Sequence, residues 1–99
     1  MRENLPKEVS GPLIQKACEL IDPVKIVLFG SFARGDQREK SDIDLAFRFK
    51  GSQENWVKYK SWVEDQAQTL REFDLVDMDE ADSSILEAIE REGIVLYER

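Results

Sequence analysis

The sequence contains no histidine, which removes histidine general bases, Ser-His-Asp triads and histidine-ligated zinc from the chemistries open to it. Carboxylates, hydroxyls, lysine, arginine and bound metal remain. Cysteine is almost as scarce. Cys18 is alone, so the chain forms no disulfide within itself and a reducing cytoplasm is the expected location. Cys18 falls in a segment of helical periodicity and is expected to be a buried structural thiol. No stretch approaches the roughly 20 apolar residues that cross a bilayer, and the first residues lack a signal peptide's hydrophobic region. No membrane association is expected.

What is present suits one folded unit. With 99 residues, 41% hydrophobic and 35% charged, the expectation is a single domain over residues 1–99. That is too small for a catalytic domain plus a separate substrate domain. The net charge of -7 repels phosphate backbones, so no direct nucleic-acid binding is expected. The same acidity suits a protein that gathers carboxylates around divalent metal.

Along the chain, Pro12 to Ile21 carries Leu13, Ile14, Ala17, Cys18 and Ile21 at helical spacing. Ser10 and Pro12 read as start signals and Asp22-Pro23 as the stop. Val24 to Phe29 is a short apolar run rich in β-branched residues, a buried strand that ends at Gly30. Asp42 to Phe49 alternates: Ile43, Leu45, Phe47 and Phe49 face one way, and Asp42, Asp44, Ala46 and Arg48 the other. After Gly51-Ser52, the residues Trp56, Tyr59, Val63, Ala67 and Leu70 mark a second helix of about 18 residues. Phe73 to Met78 reads as a third strand, Asp79 to Glu92 as a last helix stopped at Gly93, and Ile94 to Tyr97 as a final strand. The order α-β-β-α-β-α-β predicts an α/β (α+β) domain with a mixed sheet of about four strands, helices packed mainly on one face.

Chemistry gathers around two places. Gly30-Ser31 ends a strand, and a glycine there lets the backbone turn sharply while amides and the Ser31 hydroxyl hold phosphate oxygens. Asp42 and Asp44 lie two apart on a strand and therefore on one face, a spacing that lets their carboxylates meet metal ions about 3.5–4 Å apart. Asp74 and Asp77 on the third strand are both candidates for a further carboxylate, with Asp74 favoured. Each feature also has a plainer reading, as a turn or as a solvated strand edge.

The run Leu28-Phe29-Gly30-Ser31-Phe32-Ala33-Arg34-Gly35-Asp36, followed by Ser41-Asp42-Ile43-Asp44-Leu45, resembles the Gly-Ser, ten residues, Asp-x-Asp pattern of the DNA polymerase beta-like nucleotidyltransferase superfamily. The short chain and the Asp74-Leu75-Val76 run resemble its minimal nucleotidyltransferase (MNT) group. The resemblance implies the nucleotidyltransferase fold and metal-dependent transfer of a nucleoside monophosphate, AMP from ATP, to an acceptor hydroxyl. By position, Gly30 and Ser31 would hold the triphosphate with Arg34 steadying a phosphate. Asp42, Asp44 and Asp74 would be the catalytic carboxylates and would bind two Mg²⁺ ions, with Mn²⁺ an alternative. Larger members carry further helices or domains, so the resemblance also implies a site completed by a partner protein or a second copy. The expected partner is an all-helical HEPN toxin, neutralised by binding and by AMP transfer to a tyrosine. A non-catalytic antitoxin that occludes its partner, and a transferase acting on a small-molecule acceptor, remain as alternatives.

Three further features are set apart from that site. Trp56 and Tyr59 fit the core stripe of the second helix, whereas Trp62 lies off it and is expected at an interface. Lys58, Lys60 and Glu64 are expected on a solvated helix face. Ile94 to Tyr97 is expected to close the sheet rather than offer an edge to another chain.

Overall fold

The computed structural model of the chain describes residues 7–30, 33, 43–66 and 73–99. Its elements run α1 (Lys7–Leu20), β1 (Pro23–Phe29), β2 (Ile43–Phe49), α2 (Gln53–Gln66), β3 (Phe73–Asp77), α3 (Ser83–Glu92) and β4 (Ile94–Glu98), the order the sequence predicts. The strands form one mixed sheet in the order β3-β2-β1-β4. β1 is antiparallel to both β2 and β4, and β2 is parallel to β3. β4 therefore stands at an edge, paired to β1.

Alternation along the strands divides the core. Ile26 and Leu28 of β1 and Ile43, Leu45 and Phe47 of β2 join Leu13, Ala17, Trp56, Tyr59 and Val63 in one cluster, under α1 and α2. Val27, Phe29 and Ala46 point the other way and pack with Met78 and Ile89, beneath α3. Two helices thus cover one face and the third covers the opposite one. The face of β2 that carries Asp44 is not simply solvated, because Ala46 on it is fully buried.

Several boundaries differ from the sequence expectations. α1 begins at Lys7, and Pro12 lies inside it, not at its start. Proline lacks only the N–H that would reach back to the Glu8 carbonyl, a loss tolerable so near the helix end. Asp22, with a φ of 49°, breaks the helix before Pro23 as expected. α3 starts later than the apolar pattern suggests: Asp79 and Ala81 precede it, and Asp82 is its N-cap. Ala67 and Leu70 of the expected longer second helix lie outside the described residues.

The expectation for Cys18 is overturned, for its side chain is exposed. α1 buries Leu13 and Ala17, and the residue after Ala17 is turned roughly 100° away from that stripe. The Tyr97 hydroxyl donates a hydrogen bond to the Cys18 sulfur, and that bond is the main reason Tyr97 ionises above its ordinary value.

Trp56 and Tyr59 are buried as expected, in a ring cluster with Phe47 at centroid distances of 5.3 and 5.4 Å. Trp62 is not a detached surface ring. It packs against this core half-buried, 6.3 Å from Tyr59, with Lys16 Nζ 5.8 Å over its ring from α1. Lys60 likewise leaves the solvated face to lie 5.5 Å over Trp56, since a long aliphatic stem covers apolar surface while its charge meets an aromatic face.

The Tyr59 hydroxyl donates to the Leu13 carbonyl at 2.9 Å, fastening α2 to α1. Burial above all, with a smaller contribution from Cys18, drives the ionisation of this phenol well above its ordinary value. Tyr59→Phe keeps the ring and removes the donor, so the bond to the Leu13 carbonyl is lost while that carbonyl keeps its place in the helix. The expected loss is about 1 kcal/mol, seen as a lower denaturant midpoint with an unchanged slope.

At the start of α3, the Asp82 carboxylate accepts from the Ile85 N–H at 3.0 Å and from the Ser84 hydroxyl at 2.8 Å. The Ile85 bond is the leading cause that holds its carboxyl below the ordinary aspartate range. A depressed folded value means that the stabilisation is complete above the ordinary aspartate value. It is lost as pH falls through the lower folded value. Asp82→Ala should therefore melt below the parent at neutral pH, with the gap closing in acid, whereas Asp82→Asn, still a good cap, should stay near the parent.

Candidate functional site

β1 ends at Phe29, whose Cα partner across the ladder is Asp44. Asp44 in turn pairs with Asp74 on β3. Partners on adjacent strands send their side chains to the same face of a sheet, with strand axes about 4.8 Å apart. Asp44 and Asp74 therefore share a face near the end of β1, the face that α3 covers further along. Asp44 is partly buried and Asp74 exposed, so both carboxylates keep access to solvent and to a ligand.

Gly30 stands beside them. Its φ is 79°, and a Cβ built on it would run into the Asp44 carboxylate. A glycine is therefore required here twice over, by the left-handed backbone and by the contact. The turn out of β1 and the first carboxylate of the group are fitted directly to one another.

Of the residues singled out from the sequence, Gly30, Asp44 and Asp74 are brought together. Ser31, Arg34 and Asp42 lie outside the described residues. Asp77, the other candidate on β3, has a different employment. It is buried, accepts the Asp79 N–H at 2.9 Å and Gln53 Nε2 at 3.1 Å, and pairs with Phe47, not Asp44. It shapes the turn that leads towards α3.

Glu92 was not anticipated from the sequence. It is the last residue of α3, and its Oε1 accepts the Gly30 N–H at 3.2 Å across 62 positions of sequence. No sequence signal singles it out, since Glu64, Asp65 and Glu90 also lie in the last turns of helices.

The chemistry of this corner is that of hard oxygen donors. Asp44 and Asp74 on one face repel each other when both are ionised, and a divalent cation between them would convert that repulsion into binding. Among the described residues, no three acidic or thiol groups stand close enough to hold a metal ion. Asp44 and Asp74 supply two carboxylates, and Asp42 is the neighbour in sequence that would add a third. The donor set fits Mg²⁺, and Gly30, with no side chain of its own, leaves room beside the Asp44 carboxylate while its N–H is engaged by Glu92.

Solved structures share this fold. A toxin-antitoxin complex with AMP-PNP aligns with 96% of this chain and 75% of its own at 22% identity, with a TM-score of 0.75. A tri-AMPylated HEPN toxin in complex with an MNT antitoxin, from Shewanella oneidensis, aligns with 94% of this chain and 72% of its own at 19% identity and a TM-score of 0.71. A protein assigned as a minimal nucleotidyltransferase gives 25% identity, coverages of 89% and 92%, and a TM-score of 0.68. A search of curated proteins finds no match. The family model for polymerase beta nucleotidyltransferases matches residues 13–99. That span takes in all four strands together with Gly30, Asp44 and Asp74, and the chain belongs to the polymerase beta nucleotidyltransferase family.

Proposed function

We propose that this chain transfers AMP from ATP to a hydroxyl of a helical HEPN partner, a tyrosine, and so acts as an antitoxin. The observation that carries the reading is the meeting of Gly30, Asp44 and Asp74 at one corner of the sheet. It is supported by the likeness to complexes that contain AMP-PNP and an AMPylated HEPN toxin. The fold of the MNT antitoxin in that second complex is the one adopted here.

In the proposed reaction the acceptor oxygen attacks the α-phosphorus, a new O–P bond forms, and the α–β bridge breaks to release pyrophosphate with the bonding electron pair. Two Mg²⁺ ions, when bound, would supply charge neutralisation on the attacking and leaving oxygens. Asp42, Asp44 and Asp74 would be the carboxylates that hold the ions, and Asp74 would take the proton from the acceptor hydroxyl. Gly30 and Ser31 seat the triphosphate, and Arg34 steadies one of its phosphates. No histidine is needed for any of these steps.

The test uses α-labelled ATP, Mg²⁺, this chain and the protein encoded by its adjacent gene. Label is expected on the partner and absent when Asp42→Ala and Asp44→Ala are combined. Neutralisation of the toxin by the double variant at parental strength would instead favour simple occlusion.

A further inference from the structure

Glu92 belongs to no part of that proposed reaction, yet it reaches the turn on which the reaction depends. The Gly30 amide is the first beyond β1, at the point where the backbone turns left-handed, and a half-buried N–H there needs an acceptor. Glu92 Oε1 is that acceptor. The carboxylate is held in place from behind. Gly93 caps α3 through an N–H bond to the Ile89 carbonyl at 2.9 Å. It also packs so closely on Ile89 and on the Val27 side chain of β1 that no larger residue fits. β4 then starts at once, with Ile94 paired to Leu28. The end of α3 is thus clamped to β1, two residues upstream of the turn that Glu92 grips.

Helix stability does not account for a carboxylate at this point. The C-terminal end of α3 carries partial negative charge that opposes it, and the Asp44 carboxylate borders the same glycine. Glu92 also makes no metal-holding trio with Asp44 and Asp74 among the described residues. We infer that Glu92 is a positioning residue: it holds the Gly30 turn, through the Gly30 N–H, in the conformation that receives the triphosphate. The inference rests on the nucleotidyltransferase reading above and adds to it a residue from the last helix.

The test measures binding of Mg²⁺ with α,β-methylene-ATP, whose α–β bridge cannot be cleaved, to the full chain by calorimetry. Glu92→Ala should weaken binding about tenfold, the weight of one charge-assisted hydrogen bond. Glu92→Gln keeps an acceptor oxygen at the same reach and should restore affinity to within about twofold of the parent. Glu92→Asp, shorter by one methylene, should resemble the alanine variant and stands in for it if that variant fails to fold. In turnover with ATP and the partner, the alanine variant should raise KM with kcat held, the signature of lost ground-state seating.

Parental affinity in Glu92→Ala and Glu92→Asp would overturn the inference. So would a Gln variant as weak as the Ala variant, since that result would assign the effect to the charge and not to the acceptor. Failure of the underlying reading looks different: the parent would bind no nucleotide, or would bind it undiminished in Asp44→Ala. In either case the positioning role falls with that reading.

Discussion

Asp44→Asn is expected to reduce nucleotidyl transfer by roughly a thousandfold or more, because the change removes a charge proposed to hold both metal ions. The fold should not suffer. Asp44 is only partly buried, with Asp74 opposite it across the ladder. Asparagine keeps the size and the hydrogen-bonding reach of the side chain, so the variant should melt close to the parental temperature in the absence of metal. Added Mg²⁺ should raise the melting temperature of the parent and have little effect on the variant. Label transfer and thermal melts with and without Mg²⁺ check both halves; loss of activity accompanied by loss of folding would contradict the assignment of Asp44 to chemistry.

Gly30→Ala should combine two penalties. The left-handed backbone, with its φ of 79°, costs about 1–2 kcal/mol for a residue that carries a Cβ. The new methyl would also displace the Asp44 carboxylate it meets. A shift of about 1 Å in a group that positions reactants costs on the order of a hundredfold in rate. Transfer should therefore fall about a hundredfold, together with a lower denaturant midpoint. Gly11→Ala is the control. Gly11 lies within α1 with nothing near its absent side chain, so alanine there should add roughly 0.5–1 kcal/mol of stability and leave transfer unchanged.

The sheet and its helices were legible because hydrophobic period is a strong signal wherever one face of an element is buried. The alternation of Ile43, Leu45 and Phe47 against Asp44 and Ala46 set β2 correctly. Element ends were less legible because they depend on contacts from elsewhere in the chain. Pro12 resembles a helix start but lies within α1. The acidic run before Asp82 resembles helix but forms a turn, tied by the Asp77 carboxylate. Cys18 was misjudged because an apolar residue beside a buried stripe need not belong to it.

At the site, the spacing of Gly30 and Asp44 in the sequence could be read directly, since a strand end and a two-residue repeat are local features. The neighbourhood of Asp44 and Asp74 depends on the parallel register of β2 with β3, which no local pattern encodes. Asp74 and Asp77 look alike in sequence; register and the hydrogen bonds that engage Asp77 are what separate them. Glu92 was the least legible, for its contact with Gly30 spans 62 positions and has no motif.

The central claim is that the corner of the sheet formed by Gly30, Asp44 and Asp74 holds metal and the triphosphate together. It is tested most directly by crystals grown with Mn²⁺ and α,β-methylene-ATP and measured for anomalous scattering. Manganese peaks are expected against the Asp44 and Asp74 carboxylates, with the triphosphate running past Gly30. Manganese or triphosphate bound on another surface, with this corner left empty, would contradict it.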